Sequence, residues 1–231
     1  MLDGRLLLIP DKDDPERDAV AGAWAAAGGE VRRIGRFWDP PTLDPAQVRL
    51  YGNHIFCEIL AQKLSLQLVR PPDALLARLP TALLGRAVSG TTLGGPLRFP
   101  RFYKPLAPKL FRAAVYPHLA ALEAEIQGLP PETEILVSDV VSFAAEARAF
   151  LLDGIVRTCS LYEGAGELQG VRALCTAVAA QGALPRTCVL DAGWIDGVGW
   201  VLVEANASWG AGLNGCDPAA VVACLDAGVH L

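Results

Sequence analysis

The sequence lacks the patterns that mark several broad classes of protein. Its six cysteines include no Cys-x-x-Cys pair and lie in apolar surroundings, which favours buried, reduced thiols over a zinc site or a disulfide framework. No run reaches the roughly 18 consecutive apolar residues of a membrane span. The short apolar stretch at residues 6–10 is not typical of a signal peptide. We therefore expect a cytoplasmic protein without a membrane partner.

Positive charge is scarce and forms no long run. The 20 Lys and Arg residues face 25 Asp and Glu residues, and only four of the cations are lysines. A nucleic-acid groove needs clustered cations, so a nucleic-acid partner is not expected. A bound nucleotide needs only a few local cations, and the net charge of -5 is compatible with one. Residues 89–95 are Gly-rich but lack the Lys-Ser/Thr of a P-loop, and they are interpreted as a linker.

The elements that the sequence predicts fall into two groups. Residues 6–9 read as a buried strand, Asp14-Pro15 as the start of an Ala-rich helix, and residues 31–34 as a second strand, which together predict a small parallel α/β unit. Strand patterns dominate after the linker and indicate mostly antiparallel sheets. The predicted strands there are residues 98–105, 113–116, 135–141, 146–152, 155–159, 188–194 and 200–205. The expected fold class is α/β, with an N-terminal subdomain (residues 1–80) and an α+β core (residues 81–231).

Three oxygen-bearing side chains are predicted to share one face of the hairpin near the C-terminus. Side chains alternate along a strand, so Glu204 and Asn206 point the same way. A two-residue turn at Asp196-Gly197 would make Glu204 the diagonal neighbour of Asp191, and a four-residue loop would pair the two directly. Oxygen ligands suit Mg²⁺ or Mn²⁺, so this trio is a candidate metal site. The alternative is a set of ordinary polar residues on a solvated face.

The segment around this trio resembles a known family. Glu204-Ala205-Asn206-Ala207-Ser208-Trp209-Gly210 is similar to the Glu-x-Asn-x-Ser-Pro-Gly ending of ATP-grasp ligases, with Trp209 in place of Pro. The resemblance implies that Glu204 and Asn206 bind the metals that bridge the nucleotide phosphates, and that Asp191 supplies a further ligand.

The candidate phosphate-binding cations precede that motif. Tyr103-Lys104-Pro105 resembles the Val-Lys-Pro signature of the family, which implies that Lys104 contacts the α-phosphate, and Lys109 follows within reach. On the strand at residues 146–152, Glu146 and Arg148 share a face. An Arg fork suits a phosphate, and the nearby Glu146 would hold it in place. A cross-strand salt bridge and solvated surface lysines are the alternatives.

The order of these groups is that of the ATP-grasp family. Between Lys104 and Glu146 lies the predicted adenine hinge, in which Ser138, Asp139, Val140 and Val141 would contact the base and Asp139 would accept a hydrogen bond from the ribose or the amino group. The resemblance covers about residues 80–228 and is closest to a short bacterial clade marked by one Arg and paired Lys. Unlike many relatives, this chain has no glycine in residues 107–112, where the flap over the phosphates is expected.

The resemblance implies an ATP- and Mg²⁺-dependent ligase. Arg148 and Lys104 would offset charge while the γ-phosphoryl group passes to a substrate carboxylate, and an amine would then displace phosphate to leave an amide. Small-molecule or peptide carboxylates and amines are the expected substrates. A nucleotide-binding sensor without catalysis and a phosphotransferase are the alternatives.

Overall fold

The computed structural model describes residues 2–230. The first part of the chain forms a three-stranded parallel sheet in which β1 (Leu6–Pro10) is central. The flanking strands are β2 (Glu30–Ile34) and β3 (Val48–Leu50). All five residues of β1 are buried, as expected for a central strand that is covered on both faces. The parallel α/β opening predicted from the sequence is confirmed.

Two helices connect and cover this sheet, and both begin at polar caps. The Asp14 side chain accepts a hydrogen bond from the backbone of Arg17 at the start of α1 (Pro15–Ala26). The Asn53 side chain caps α2 (His54–Leu64) in the same way. Such caps satisfy backbone N–H groups that the first turn leaves free. A short strand and two single-turn helices follow: β4 (Gln67–Leu68), α3 (Leu75–Arg78) and α4 (Thr81–Leu84).

A four-stranded antiparallel sheet comes next, in the order β5-β8-β6-β7. Its elements are β5 (Val88–Thr92), β6 (Arg101–Pro105), β7 (Ala114–Tyr116), α5 (Leu119–Glu123) and β8 (Glu134–Ser138). The prediction of a linker at residues 89–95 was wrong, because residues 88–92 pair with β8 as an edge strand. Strand pairing that is distant in sequence overrides the local preference of Ser and Gly for loops. The strand predicted at residues 98–105 is shorter and begins at Arg101.

The second antiparallel sheet also has four strands, in the order β10-β9-β11-β12. These strands and their connecting helix are β9 (Ala145–Leu152), β10 (Ile155–Glu163), α6 (Leu168–Ala179), β11 (Thr187–Ile195) and β12 (Gly199–Asn206). One face packs against α6 and α4 through a buried apolar cluster that includes Ala149, Val171 and Leu202. The other face carries the polar residues considered below.

The end of the chain returns to the N-terminal unit. A single 3-10 turn (Ser208–Gly210) follows β12, then α7 (Pro218–Asp226) and β13 (Val229–His230), which pairs with β4. Trp24 of α1, Val221 of α7 and Phe150 of β9 belong to one buried cluster. The N-terminal sheet, the C-terminal helix and the second antiparallel sheet therefore share a core.

A carboxylate on α1 fixes the loop that follows β12. Both oxygens of Glu16 accept backbone hydrogen bonds, from Leu213 and Asn214, each at 2.8 Å. Gly212 lies against Glu16, and a Cβ at this position would stand 2.7 Å from Glu16 Oε2. The absence of a side chain at Gly212 therefore permits the close approach of the loop to α1.

We predict that Glu16→Ala lowers the free energy of unfolding by about 2 kcal/mol, because two backbone N–H groups lose a charged acceptor. Asp18→Ala is the matched control on the same helix, since Asp18 forms an exposed ion pair with Arg33 that is worth at most about 1 kcal/mol. Urea denaturation measures both values. Equal effects of the two substitutions would contradict this role of Glu16.

Candidate functional site

The candidate residues lie on the polar face of the second sheet. Glu146 and Arg148 come from β9, and Arg148 is the register neighbour of Asp191 on β11. Glu204 and Asn206 come from β12, where Glu204 pairs with Asp191. Side chains of alternating residues share a face, and the hydrogen bonds described below connect all of these side chains except Glu146 in one cluster. The prediction that Asp191, Glu204 and Asn206 share one face is confirmed.

A bulge in β12 creates this arrangement. The loop between the strands has three residues, because Ile195 pairs with Gly199, so neither predicted loop length was right. This register would have paired Asp191 with Val203 and turned Glu204 to the opposite face. The pairing instead shifts by one residue between Asp191 and Ala192, so that Val203 is the extra residue and Asp191 pairs with Glu204. A β-bulge of this kind re-aims the side chains beyond it.

Arg148 and Asp191 form the best-buried ion pair of the polar face. The Nε and Nη2 atoms of Arg148 donate to the two carboxylate oxygens of Asp191 at 2.8 and 2.7 Å, and the side chains are 12% and 3% exposed. The remaining terminal nitrogen of Arg148 donates to the Gly212 carbonyl at 2.9 Å. The prediction that Glu146 holds Arg148 was wrong, because Glu146 accepts a hydrogen bond from the Tyr162 hydroxyl instead. The strand neighbour in register lies closer to Arg148 than the residue two positions away on its own strand.

Glu204 connects the polar face to the first sheet. Its Oε1 accepts from Asn206 Nδ2 at 2.8 Å, and the Asn206 amide also donates to Asp191 Oδ2 at 3.2 Å. Across the cleft, Lys104 Nζ lies 3.5 Å from Glu204 Oε2. Burial alone would raise the pKa of Glu204, but the charge of Lys104 and the hydrogen bond from Asn206 lower it below its usual value. Glu204 is therefore held as a carboxylate beside a lysine.

Burial acts in the opposite direction on the neighbouring acid. It raises the pKa of Asp191 above its usual value, against the hydrogen bonds and charge of Arg148, and the adjacent Glu204 carboxylate adds to the rise. Two carboxylates this close repel each other. The polar face therefore has a specific need for positive charge, which Arg148 and Lys104 meet in part.

The first sheet presents Lys104 and the predicted hinge to the same cleft. Lys104 lies opposite Leu136 in the pairing of β6 with β8. The strand predicted at residues 135–141 ends at Ser138, and residues 139–141 follow it without regular structure. The Asp139 carboxylate accepts a hydrogen bond from the Ala87 backbone and lies 3.4 Å from Arg101, so that it is already engaged by protein groups.

Two cavities lie side by side in this cleft. The smaller, of about 130 Å³, is lined by the hinge residues Ser138, Asp139, Val140 and Val141 and by Phe102. The larger, of about 430 Å³, is lined by Lys109, Asn206, Trp209, His54 and Arg70, among others. Lys104 and Glu204 line both cavities. A ligand that extended through both would pass directly beside these two charges.

Lys109 lies at the rim of the larger cavity in a backbone conformation that few residues other than glycine adopt. Its φ is 64°, within the left-handed region. The segment at residues 107–112 has no glycine, and Lys109 takes the conformation that a glycine would take more easily. Of the predicted cluster, Lys104 and Glu204 are in contact, whereas Lys109 is exposed and separate.

Arg86 is a site residue that the sequence reasoning missed. It is partly buried, lines the smaller cavity and donates to Ser138 Oγ and to the carbonyls of Leu84, Leu202 and Val203. Burial lowers the pKa of this guanidinium. A sequence signal was present, because residues 74–122 contain seven arginines and lysines and no Asp or Glu. Such a one-signed segment in an acidic chain indicates an anionic ligand.

The residues of the polar face fit a divalent cation in part. Glu204 and Asn206 open on the larger cavity with oxygen ligands of the type that Mg²⁺ prefers. Both oxygens of Asp191 are engaged by Arg148. Among residues 2–230, no group of three or more His, Cys, Asp and Glu side chains is arranged to hold a metal ion. The fit is thus that of an ion held by one or two side chains and by phosphate oxygens. Within the same residues, no helix has the length and apolar character that crossing a membrane requires.

The comparison with protein families identifies the chain. The matching family model is described as an ATP-grasp domain, family 2 of the clade that takes its name from one Arg and two Lys, and it matches residues 83–224, more than half of the chain. The chain belongs to this clade of ATP-grasp domains. The matched region contains both antiparallel sheets and every candidate site residue. No curated protein matches this ATP-grasp chain in sequence.

Solved structures agree with this fold. A RimK domain protein ATP-grasp from Sphaerobacter thermophilus is 17% identical, with a TM-score of 0.61, and the match covers 95% of this chain and 98% of that one. D-cycloserine synthetase DcsG is 13% identical with a TM-score of 0.58 and the same coverage. ATP-grasp ligase PsnB, in complex with a variant of its minimal precursor, Mg and ADP, is 15% identical with a TM-score of 0.53, and 97% of each chain is covered. The mixed architecture of parallel and antiparallel sheets is therefore that of ATP-grasp proteins.

We predict strong thermodynamic coupling between Arg148 and Asp191. Arg148→Met and Asp191→Leu should each cost roughly 3 kcal/mol, because each leaves a buried charge without its partner. The double variant should cost roughly 2 kcal/mol less than the sum. The pair Arg186–Asp153, at 3.2 Å with side chains 60% and 58% exposed, is the matched control with coupling below about 1 kcal/mol. Additive effects at Arg148 and Asp191 in urea denaturation would contradict the prediction.

Proposed function

We propose that this ATP-grasp protein is an ATP- and Mg²⁺-dependent ligase that joins a carboxylate to an amine. The observation that carries the proposal is the pair of adjoining cavities that share Lys104 and Glu204. A nucleotide needs an apolar slot for its base and a charged space for its phosphates. The two cavities offer these in the order in which the family's motifs occur along the chain.

In this proposal the base occupies the smaller cavity. Ser138, Asp139, Val140 and Val141 would contact the adenine through their backbone, and Phe102 and Leu136 offer apolar walls. The role first assigned to Asp139 is limited by its existing bond with Ala87, so its backbone is the better candidate for reading the base. The domain division follows the same scheme, with residues 1–80 as a preceding subdomain and residues 81–231 as the nucleotide-binding core.

The phosphates would lie in the larger cavity between the two sheets. Lys104 and Lys109 would bind phosphate oxygens, while Glu204 and Asn206 would hold Mg²⁺ or Mn²⁺ together with those oxygens. The bound metal would supply positive charge to the bridging oxygens of the nucleotide. Asp191 would contribute one of its oxygens, sharing it with Arg148, and Glu146 would support the face through Tyr162.

The proposed reaction has two steps. The carboxylate oxygen of the substrate attacks the γ-phosphorus of ATP, and the bond between that phosphorus and the β-γ bridging oxygen breaks to release ADP. The amine of the second substrate then attacks the acyl carbon, loses a proton and displaces inorganic phosphate. Arg148 and Lys104 would stabilise charge on the transferred phosphoryl group. No protein nucleophile takes part.

The acceptors would enter from the side of the N-terminal sheet. The larger cavity is bounded there by His54, Arg70 and Trp209, and it is open enough for a small molecule or the end of a peptide. PsnB, which has the same fold, is an ATP-grasp ligase seen with a variant of its minimal precursor. Small carboxylates, amino acids and peptides are therefore the substrates to test.

The first experiment tests the metal site. Binding of MgATP at 100 times its Kd should stabilise the protein by about 2.7 kcal/mol, which corresponds to a Tm increase of roughly 5–10 °C for a chain of this size. Glu204→Ala and Asn206→Ala should abolish the part of this increase that depends on Mg²⁺. Glu163→Ala, at an exposed position on β10 of the same sheet, is the control. An unchanged Mg²⁺-dependent increase in the first two variants would overturn the site assignment.

The second experiment tests the reaction. ADP and inorganic phosphate should accumulate when a panel of carboxylates and amines is supplied together with MgATP, and only slowly without an amine. AMP and pyrophosphate as products would contradict the acyl-phosphate route. A stable product heavier by one phosphate would identify a phosphotransferase, and MgATP binding without turnover on any substrate would identify a sensor.

The third experiment tests Lys109. Lys109→Gly and Lys109→Ala both remove the charge, and both should weaken ATP binding by about tenfold if the ammonium contacts a phosphate. The two variants should differ in stability by about 1 kcal/mol in favour of glycine, because only glycine adopts the positive φ without strain. Calorimetry with ATP and urea denaturation give the two values. Unchanged ATP affinity in both variants would remove Lys109 from the site.

A further inference from the structure

Arg86 connects the two antiparallel sheets at the back of the cleft. On one side its Nε donates to Ser138 Oγ at 3.1 Å, at the end of β8. On the other side its terminal nitrogens donate to the carbonyls of Leu202 at 2.9 Å and Val203 at 3.1 Å. Arg86 has no carboxylate partner among the ion pairs that the structure describes in residues 2–230. It is held by neutral oxygens alone.

The two carbonyls that Arg86 binds on β12 belong to the bulge. The register of β12 with β11 shifts at Val203, which is the extra residue, and Leu202 is the last residue of the unshifted register. A bulge leaves ladder groups without their strand partners, and a buried carbonyl without a partner is costly. Arg86 supplies the missing donors for two consecutive carbonyls, as a planar fork can and a lysine cannot.

The position of Arg86 is supported from the opposite side. Its guanidinium lies over the Phe143 ring, 5.8 Å from the centroid. Phe143 in turn packs on β11 at Gly193, where a Cβ would stand 2.3 Å from the ring. Gly193, Phe143 and Arg86 thus form a stack that ends on the bulge. Charge on the guanidinium is favoured there by the ring face.

We propose that Arg86 is a positioning residue that locks the β12 bulge and thereby keeps Glu204 and Asn206 on the face of Asp191. Loss of the bulge would return β12 to the register of its loop end, in which Asp191 pairs with Val203 and the two ligands point away from the cleft. The structural part stands on the contacts of Arg86, and its consequence for metal binding rests on the proposed function.

The structural part is tested in the protein without ligands. In Arg86→Met, amide hydrogen exchange in residues 199–206 should accelerate by about tenfold relative to residues 145–152 of the same sheet, because two charged hydrogen bonds to the bulge are lost. Arg49→Met is the matched control, since Arg49 is a buried arginine that also binds backbone carbonyls, far from β12. Arg86→Lys, which keeps the charge but not the fork, should accelerate exchange by a smaller factor and serves if the Met variant fails to fold. Uniform exchange across the sheet in both Arg86 variants would overturn the proposal.

The consequence for metal binding is tested by the ATP affinity with Mg²⁺ and with a chelator. Arg86→Met should reduce the affinity gain due to Mg²⁺ by about tenfold in the wild-type background and by less than about twofold in an Asn206→Ala background, because both changes act through the same ligand. Equal losses with and without Mg²⁺ would indicate direct contact with the nucleotide and overturn the positioning role. If the unmodified protein shows no Mg²⁺ gain, the proposed metal site fails, while the exchange result still decides whether Arg86 locks the bulge.

Discussion

The ion pair of Arg148 and Asp191 is the constraint on which the polar face depends. Both charges are taken out of water, and such a pair is tolerated only when its geometry is good and its remaining donors are satisfied. Two parallel hydrogen bonds and the Gly212 carbonyl meet this requirement. The pair holds β9 against β11 in one register, and the contact with Gly212 ties the loop after β12 to the same point. The loop is in turn fixed to α1 by Glu16.

The charges of the cleft are divided between its two walls. The wall formed by the second sheet carries Glu146, Asp191 and Glu204, whereas the segment from residue 74 to residue 122 carries cations without a single acid. A metal-bound nucleotide is itself polarised, with a cation on one side of its phosphates and free anionic oxygens on the other. The division of charge in the cleft matches that polarity, and it bears more directly on the ligand than the net charge of the chain does.

Strand alternation was sufficient to predict that Asp191, Glu204 and Asn206 share a face, and the order of motifs was sufficient to predict the family. The means by which they share that face was beyond the sequence, because a bulge at Val203 leaves no local signature in residues that all suit a strand. Glu146 was assigned to Arg148 because proximity along one strand is visible in a sequence and cross-strand register is not. Residues 88–92 were read as a linker for a related reason, since their pairing with β8 depends on a segment more than forty positions away. Arg86 was overlooked because its partners are mainly backbone carbonyls, which no side-chain pattern reveals.

The contact between Lys104 and Glu204 has a consequence for how the cleft would fill. In the empty protein these two charges neutralise each other across the gap. A nucleotide that arrived alone would pair with Lys104 and leave Glu204 facing phosphate, and a metal that arrived alone would pair with Glu204 and leave the lysine facing a dication. Each ligand therefore removes the obstacle that the other meets, and thermodynamic linkage requires that each raise the affinity for the other by the same factor. A single ion pair between two sheets would in this way make the nucleotide and its metal enter as one unit.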